Sequence, residues 1–241
     1  MKQRIPYGPG EHQFGDLRLP PGAGPFPLLI AIHGGFWRAR YDLTHMEPLC
    51  AYFAARGIAT WSLEYRRIGQ PGGGWPGTAD DVVAGVRHCA ELAREYLIDT
   101  QRTVAVGYSA GGHLALYAAA HEPSLTGVVS LAGVADLQMA WDLRLSEGVV
   151  RDFLNGLPDQ FPEASPANLA IAPPQRLVHG DRDENVPVEI ARQYVRSKRS
   201  RGEDVELLEL PGVQHSDLVD PGNAAWLAVE SVILELLSPS R

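Results

Sequence analysis

The chain has little cysteine, no long apolar run and no surplus of positive charge. Its two cysteines, Cys50 and Cys89, fall inside helix-like patterns without metal-ligand spacing, which excludes a disulfide framework or a zinc site and leaves two buried thiols. No stretch approaches the roughly 18 to 20 apolar residues that span a bilayer. Lysine and arginine number 21 against 29 aspartates and glutamates, a formal charge of −8, so no broad cationic face is available to nucleic-acid phosphates or anionic lipid. The opening Met1-Lys2-Gln3-Arg4-Ile5-Pro6 carries charge with no apolar run behind it, unlike a secretory signal. The expectation is a cytoplasmic protein with no nucleic-acid or membrane partner; a monomer and a homodimer both stay open. What is present is globular material, 45% hydrophobic and 21% charged over 241 residues, enough for one substantial core. A single domain over residues 1–241 is expected.

Short β-rich runs occur at Pro27 to His33, Ile58 to Leu63, Thr103 to Gly107, Thr126 to Ala132, Gln175 to His179 and Val205 to Leu210. Helical patterns separate them, at Thr44 to Arg56, Ala79 to Leu97, Ala110 to His121, Val188 to Arg201 and Asn223 to Leu237. In the second of these, Val82, Val83, Val86, Ala90, Ala93 and Leu97 form one apolar stripe, and Thr78 stands where an N-cap belongs. Strands apolar on both faces and joined by helical crossovers predict a mostly parallel α/β sheet between helix layers. The run Gln13 to Leu19, ending at Pro20-Pro21-Gly22, adds an antiparallel edge. The segment Asp136 to Pro166 breaks the rhythm, and is either an insertion capping a site or a surface excursion.

Chemistry concentrates after the strands. Gly107-Tyr108-Ser109-Ala110-Gly111 fits G-x-S-x-G between a strand and a helix, a turn that lifts a serine hydroxyl to a helix amino terminus. His33-Gly34-Gly35-Phe36-Trp37 leaves another apolar strand, and its glycines free the backbone to aim N–H groups into a cavity. The oxyanion donors are assigned to Gly35, Phe36 and Ala110. His33 precedes the serine at a strand end and suits loop bracing better than base chemistry. His215, after the last strand, is the expected base. For the carboxylate that orients it, Asp183 is chosen at the crest of Gly180 to Pro187, with Asp181 the competing candidate. Trp37 and Tyr108 are assigned to substrate contact; Trp37, Trp75 and Trp141 either form an aromatic wall or act as packing anchors. Gly72-Gly73-Gly74 is either a mobile loop near the mouth or a plain turn. The order Ser109, Asp183, His215 is that of successive strand ends in a hydrolase sheet.

These motifs resemble the α/β-hydrolase superfamily over nearly the whole chain. His33 to Trp37 is similar to the H-G-G-x-W signature of kynurenine formamidase-like enzymes and related bacterial carboxylesterases; Tyr7-Gly8, Asp16 to Pro20 and Glu64-Tyr65-Arg66 resemble the same branch. Gly180 to Pro187 looks like the superfamily's H-G-x-x-D-x-x-V-P acid loop, which puts the acid on Asp183. The resemblance implies a serine hydrolase of small esters or activated amides that works through an acyl-serine without metal or organic cofactor. An arylformamidase acting on N-formylkynurenine is the alternative, and a catalytically silent binding protein the third possibility.

Overall fold

In a computed structural model of the protein, which describes residues 2–238, eight strands form one sheet in the order β1-β2-β4-β3-β5-β6-β7-β8 among the described residues. Met1 and Pro239 to Arg241, the ends of the expected domain, lie outside them. The strands are β1 (Lys2–Pro6), β2 (Phe14–Arg18), β3 (Phe26–Ile32), β4 (Ala59–Leu63), β5 (Ile98–Tyr108), β6 (Gly127–Leu131), β7 (Gln175–Gly180) and β8 (Val205–Leu210). From β4 through β3 to β8 every pair is parallel, while β2 pairs antiparallel with both β1 and β4. The expected edge run is therefore one strand in from the edge. The true edge, β1, is mostly exposed and offers no alternation of apolar residues from which a strand is recognised.

The central strands are apolar on both faces because both faces are covered. In β3, Leu28, Ile30 and Ile32 pack into one core with Val82 and Val86 of α2 (Gly77–Arg87) and Leu114 of α4 (Ala110–His121). Leu29 and Ala31 point the other way, into a second core with Phe53 of α1 (Glu47–Ala54) and Val229 and Ile233 of α9 (Trp226–Leu237). Each large apolar side chain among these contributes about 1.5–3 kcal/mol on burial. On the first side, α8 (Glu189–Ser200) also buries Ile190 and Tyr194.

Two local expectations change. The pattern Ala79 to Leu97 is two helices, α2 and α3 (Cys89–Tyr96), which meet at His88. Beyond that joint the buried positions are Cys89 and Leu92, whereas Ala90 is exposed and the left-handed Leu97 is 62% exposed. Thr78 lies inside α2 rather than capping it; its hydroxyl donates to Arg66 O at 2.5 Å and accepts from Gly74 N at 3.0 Å.

The segment Asp136 to Pro166 folds into α5 (Leu137–Asp142), α6 (Leu145–Phe153) and α7 (Phe161–Ala164). Leu137, Val149, Phe153, Phe161 and Ala164 join the first core. No helix among the described residues is long and apolar enough to cross a membrane.

Candidate active site

The parallel strands bring their carboxyl ends to one edge of the sheet, where open α/β sheets hold their ligands. β3 delivers the glycine pair there, β5 the serine, β7 the acid loop and β8 the histidine loop. At the end of β5, Ser109 adopts φ 58° and ψ −121°, a conformation that costs about 1–3 kcal/mol for a residue with a Cβ. Hydrogen bonds hold it there. Ser109 N donates to Leu131 O at 2.8 Å, and Ser109 O accepts from Gly112 N at 2.9 Å and Val134 N at 3.3 Å. The glycines flanking it are required by close approach of backbones. A Cβ at Gly107 would lie 2.0 Å from Gly111 O, and one at Gly111 would lie 2.1 Å from Ile32 O. Ala110 follows as the first residue of α4, with the N–H that a helix start leaves without an intrahelical partner.

After β3 the backbone turns left-handed through Gly35 (φ 108°), Phe36 (φ 51°) and Trp37 (φ 56°). The N–H groups of Gly35 and Phe36 meet no acceptor among the described residues. Buried groups brace this loop from below. The ring nitrogens of His33 lie 2.8 Å from Gly34 O and 3.2 Å from Glu64 Oε1, Tyr65 stacks on the ring at 4.2 Å, and the Tyr65 hydroxyl donates to His33 O at 2.6 Å. Glu64 also accepts from Leu43 N and sits 3.1 Å from the Arg67 guanidinium, which donates to Tyr41 O. Burial pushes the Glu64 carboxyl up, but the His33 hydrogen bond and the charges of His33 and Arg67 outweigh it and hold the group ionised below its ordinary value. His33 is thus a structural histidine, as its position before the serine suggested.

Asp183 and His215 meet as expected, with Asp183 Oδ2 2.6 Å from His215 Nδ1. A carboxylate only accepts, so the proton is on Nδ1 and Nε2 is left free to take one. The other carboxylate oxygen accepts from Asn185 N at 2.9 Å and Val186 N at 2.8 Å. His179, at the end of β7, supplies a further contact: its Nε2–H donates to Val186 O at 2.8 Å and lies 3.3 Å from Asp183 Oδ2. Burial would raise the Asp183 carboxyl, yet the hydrogen bonds from His179 and His215 hold it far below the ordinary carboxylate range. Asp181, the competing candidate, instead accepts from Gly212 N at 2.6 Å and so ties the acid loop to the base of the histidine loop.

Ser109 and His215 line one cleft of about 210 Å³ together with Gly35, Phe36, Tyr41, His45, Tyr108 and Asn185. Tyr108 lines this cleft, its ring 4.8 Å from that of His215. Tyr41, His45 and Asn185 were not foreseen. Tyr41 comes from the turn after β3, His45 from the 3-10 helix Leu43–Met46 that follows it, and Asn185 from the loop after β7, where spacing carries no signal of which side chains face a cavity. His45 stacks on Tyr41 at 5.7 Å and sets its edge against Tyr108, and burial lowers its pKa so that the neutral ring is favoured.

Trp37 corrects an expectation. It is fully buried, stacked on Phe153 at 4.4 Å, and is not among the residues lining the cleft; its neighbour Phe36 faces the cleft while the indole enters the core. Trp75 is also in the core, edge-on to Tyr117 at 5.3 Å. Trp141 packs on Phe161 and lines a separate concavity of about 530 Å³ with Arg144 and Arg151. No aromatic wall forms from the three. Gly72 to Gly74 is a tied turn: Gly73 N donates to Gln70 O at 3.0 Å, and Trp75 N to Phe153 O at 2.7 Å.

The model of the BD-FAE family matches residues 16–197, a span that holds Ser109 and Asp183 and stops short of His215. The esterase LipC of Mycobacterium tuberculosis is 30% identical over 91% of this chain and 60% of its own length, so the chain spans less than two thirds of that relative. Among solved structures, Thermogutta terrifontis esterase 2 phosphoramylated by tabun superposes with a TM-score of 0.80 at 24% identity, covering 98% of this chain and 93% of that one. Esterase B from Lactobacillus rhamnosis HN001 superposes with a TM-score of 0.85 at 18% identity, covering 98% and 84%. With more than half of its length matched by the family model, and with the strand order and crossovers described above, this chain belongs to the BD-FAE family and has the α/β-hydrolase fold.

Proposed function

We propose that the protein is a serine hydrolase that cleaves small carboxylic esters through an acyl-serine intermediate. The observation that carries this is that His215, held 2.6 Å from the buried Asp183 carboxylate, lines the same cleft as a serine held at positive φ. His215 Nε2 takes the Ser109 proton as Oγ attacks the ester carbonyl. Gly35, Phe36 and Ala110 N–H groups receive the oxyanion, an interaction whose loss costs roughly a hundred- to a thousand-fold per donor. The protonated imidazole then gives its proton to the leaving alcohol, and the acyl-serine forms. Water enters, loses a proton to the same Nε2, and attacks the acyl carbon; collapse returns Ser109 and releases the acid. Asp183 holds the imidazole in one tautomer and offsets its charge while it is protonated.

A cleft of about 210 Å³ favours short acyl groups. Acetyl and formyl both fit that description, so the N-formylkynurenine alternative is tested directly. Turnover of p-nitrophenyl acetate, p-nitrophenyl butyrate and N-formylkynurenine at equal concentration is expected to fall in that order. Fastest turnover on N-formylkynurenine would move the assignment to an arylformamidase. Absence of turnover on all three would favour the silent binding protein.

A further inference from the structure

Below the cleft, the loop that carries the expected oxyanion donors is joined to the segment Leu137 to Ala164 at several points. The Trp37 indole stacks on Phe153 of α6 at 4.4 Å and meets His113 edge-on at 5.3 Å. His113 Nε2–H in turn donates to Ala164 O at 2.9 Å, at the end of α7. One residue on, the Arg38 guanidinium donates to Ser146 O at 3.0 Å. Phe153 O also accepts Trp75 N, which ties the same helix end to the turn beneath the loop.

We propose that the segment Leu137 to Ala164 is a clamp that holds the oxyanion loop in its left-handed path, with Phe153 and Arg38 as positioning residues that act through Trp37 and Phe36. Gly35, Phe36 and Trp37 all have positive φ, and two of the three carry a Cβ that disfavours it. Such a path persists only where the surroundings over-determine it. Part of the hold is backbone: Ile68 N donates to Trp37 O at 2.8 Å, and Ala39 N to Ile68 O at 3.1 Å. The indole itself has no hydrogen-bond partner for Nε1 among the described residues, so ring contacts fix it. Phe153 is fully buried, as is Trp37, and a smaller side chain there opens space directly behind the residue next to a donor. The segment therefore works from behind the loop, in contrast to a lid closing over the mouth.

This inference rests on the proposed hydrolase reading, because it assigns the loop its oxyanion role. Displacing a catalytic group by about 1 Å costs on the order of a hundred-fold, and a loosened loop samples its correct position part of the time. Phe153→Leu is expected to lower kcat on p-nitrophenyl acetate about 10- to 50-fold, with KM within about threefold of the parent. Arg38→Ala, which removes one peripheral hydrogen bond, is expected to lower kcat about three- to tenfold with the same unchanged KM. Phe161→Leu makes the same chemical change in the same segment but touches Trp141 instead of the loop, and is expected to keep kcat within about twofold of the parent, the change being remote from the donors. Parental kcat in both Phe153→Leu and Arg38→Ala would overturn the clamp, as would an equal loss in Phe161→Leu, which would mark general loosening of the segment. Should Phe153→Leu not fold, as judged by circular dichroism, Arg38→Ala against Phe161→Leu decides alone. Ser109→Ala run beside them separates the two levels: full turnover there sinks the hydrolase reading, whereas its loss alongside parental kcat in the positioning variants sinks only the clamp.

Discussion

Replacing Ser109 with alanine is expected to lower kcat on p-nitrophenyl acetate by on the order of 10⁵-fold or more, with the fold intact. The size follows from the removal of the attacking atom: no acyl-serine can form, and the oxyanion donors with substrate binding leave only a residual acceleration over water. The fold survives because Ser109 is held through its backbone. Its N–H and C=O make the bonds to Leu131, Gly112 and Val134, and alanine keeps them all. The left-handed strain also stays, since alanine carries a Cβ as serine does. Initial rates in a p-nitrophenolate assay, with a thermal melt within a few degrees of the parent, check both halves. Retention of more than a few per cent of the parental kcat would leave the serine without its assigned role.

Changing Asp183 to asparagine is expected to cost about 10⁴-fold in kcat. The carboxylate accepts the His215 Nδ1–H at 2.6 Å and lies 3.3 Å from His179 Nε2. An amide offers one oxygen and one NH₂ in the same space. The oxygen can still accept Asn185 N and Val186 N, which turns the NH₂ toward His215. That donor requires Nδ1 to be an acceptor, so the proton moves to Nε2 and the base is blocked. A loss of stability accompanies the loss of rate, with a definite sign. The folded carboxyl is held far below its unfolded value, so its contribution is complete above the unfolded pKa and disappears as pH falls toward the folded one. Asp183→Asn therefore destabilises at pH 7 and does so less at about pH 3. Urea unfolding at the two pH values reads this difference, and kcat at pH 7 reads the catalytic effect.

Much of this was legible in the sequence because it depends on local backbone demands. A serine between glycines at a strand-to-helix junction states its own geometry: Gly107 and Gly111 each approach other backbone so closely that no side chain fits. Asp183 could be preferred over Asp181 because it stands at the loop crest just before Val186, where its carboxylate accepts two N–H groups of its own loop. Central strands are recognised by apolar residues on both faces. What remained hidden depends on how loops fold in three dimensions. Trp37 adjoins Phe36, a proposed oxyanion donor, in sequence yet enters the core, where it stacks on Phe153 of a segment far along the chain. Tyr41 and His45 reach the cleft by the return of the same loop, and the buried Glu64–Arg67 pair beneath it joins the end of β4 to that loop from a distant part of the sequence. β1 escaped notice for a simpler reason: an exposed edge needs no apolar pattern.

That Ser109 is made nucleophilic by His215 within one cleft is tested most directly by a fluorophosphonate probe. The probe is added to active protein, and intact mass, peptide mapping and residual turnover are followed together. One adduct per chain is expected, located on Ser109, forming in step with the loss of p-nitrophenyl acetate turnover and absent from His215→Ala on the same timescale. A protein that hydrolyses the ester while Ser109 stays unlabelled, or that keeps its turnover with Ser109 fully labelled, would contradict it.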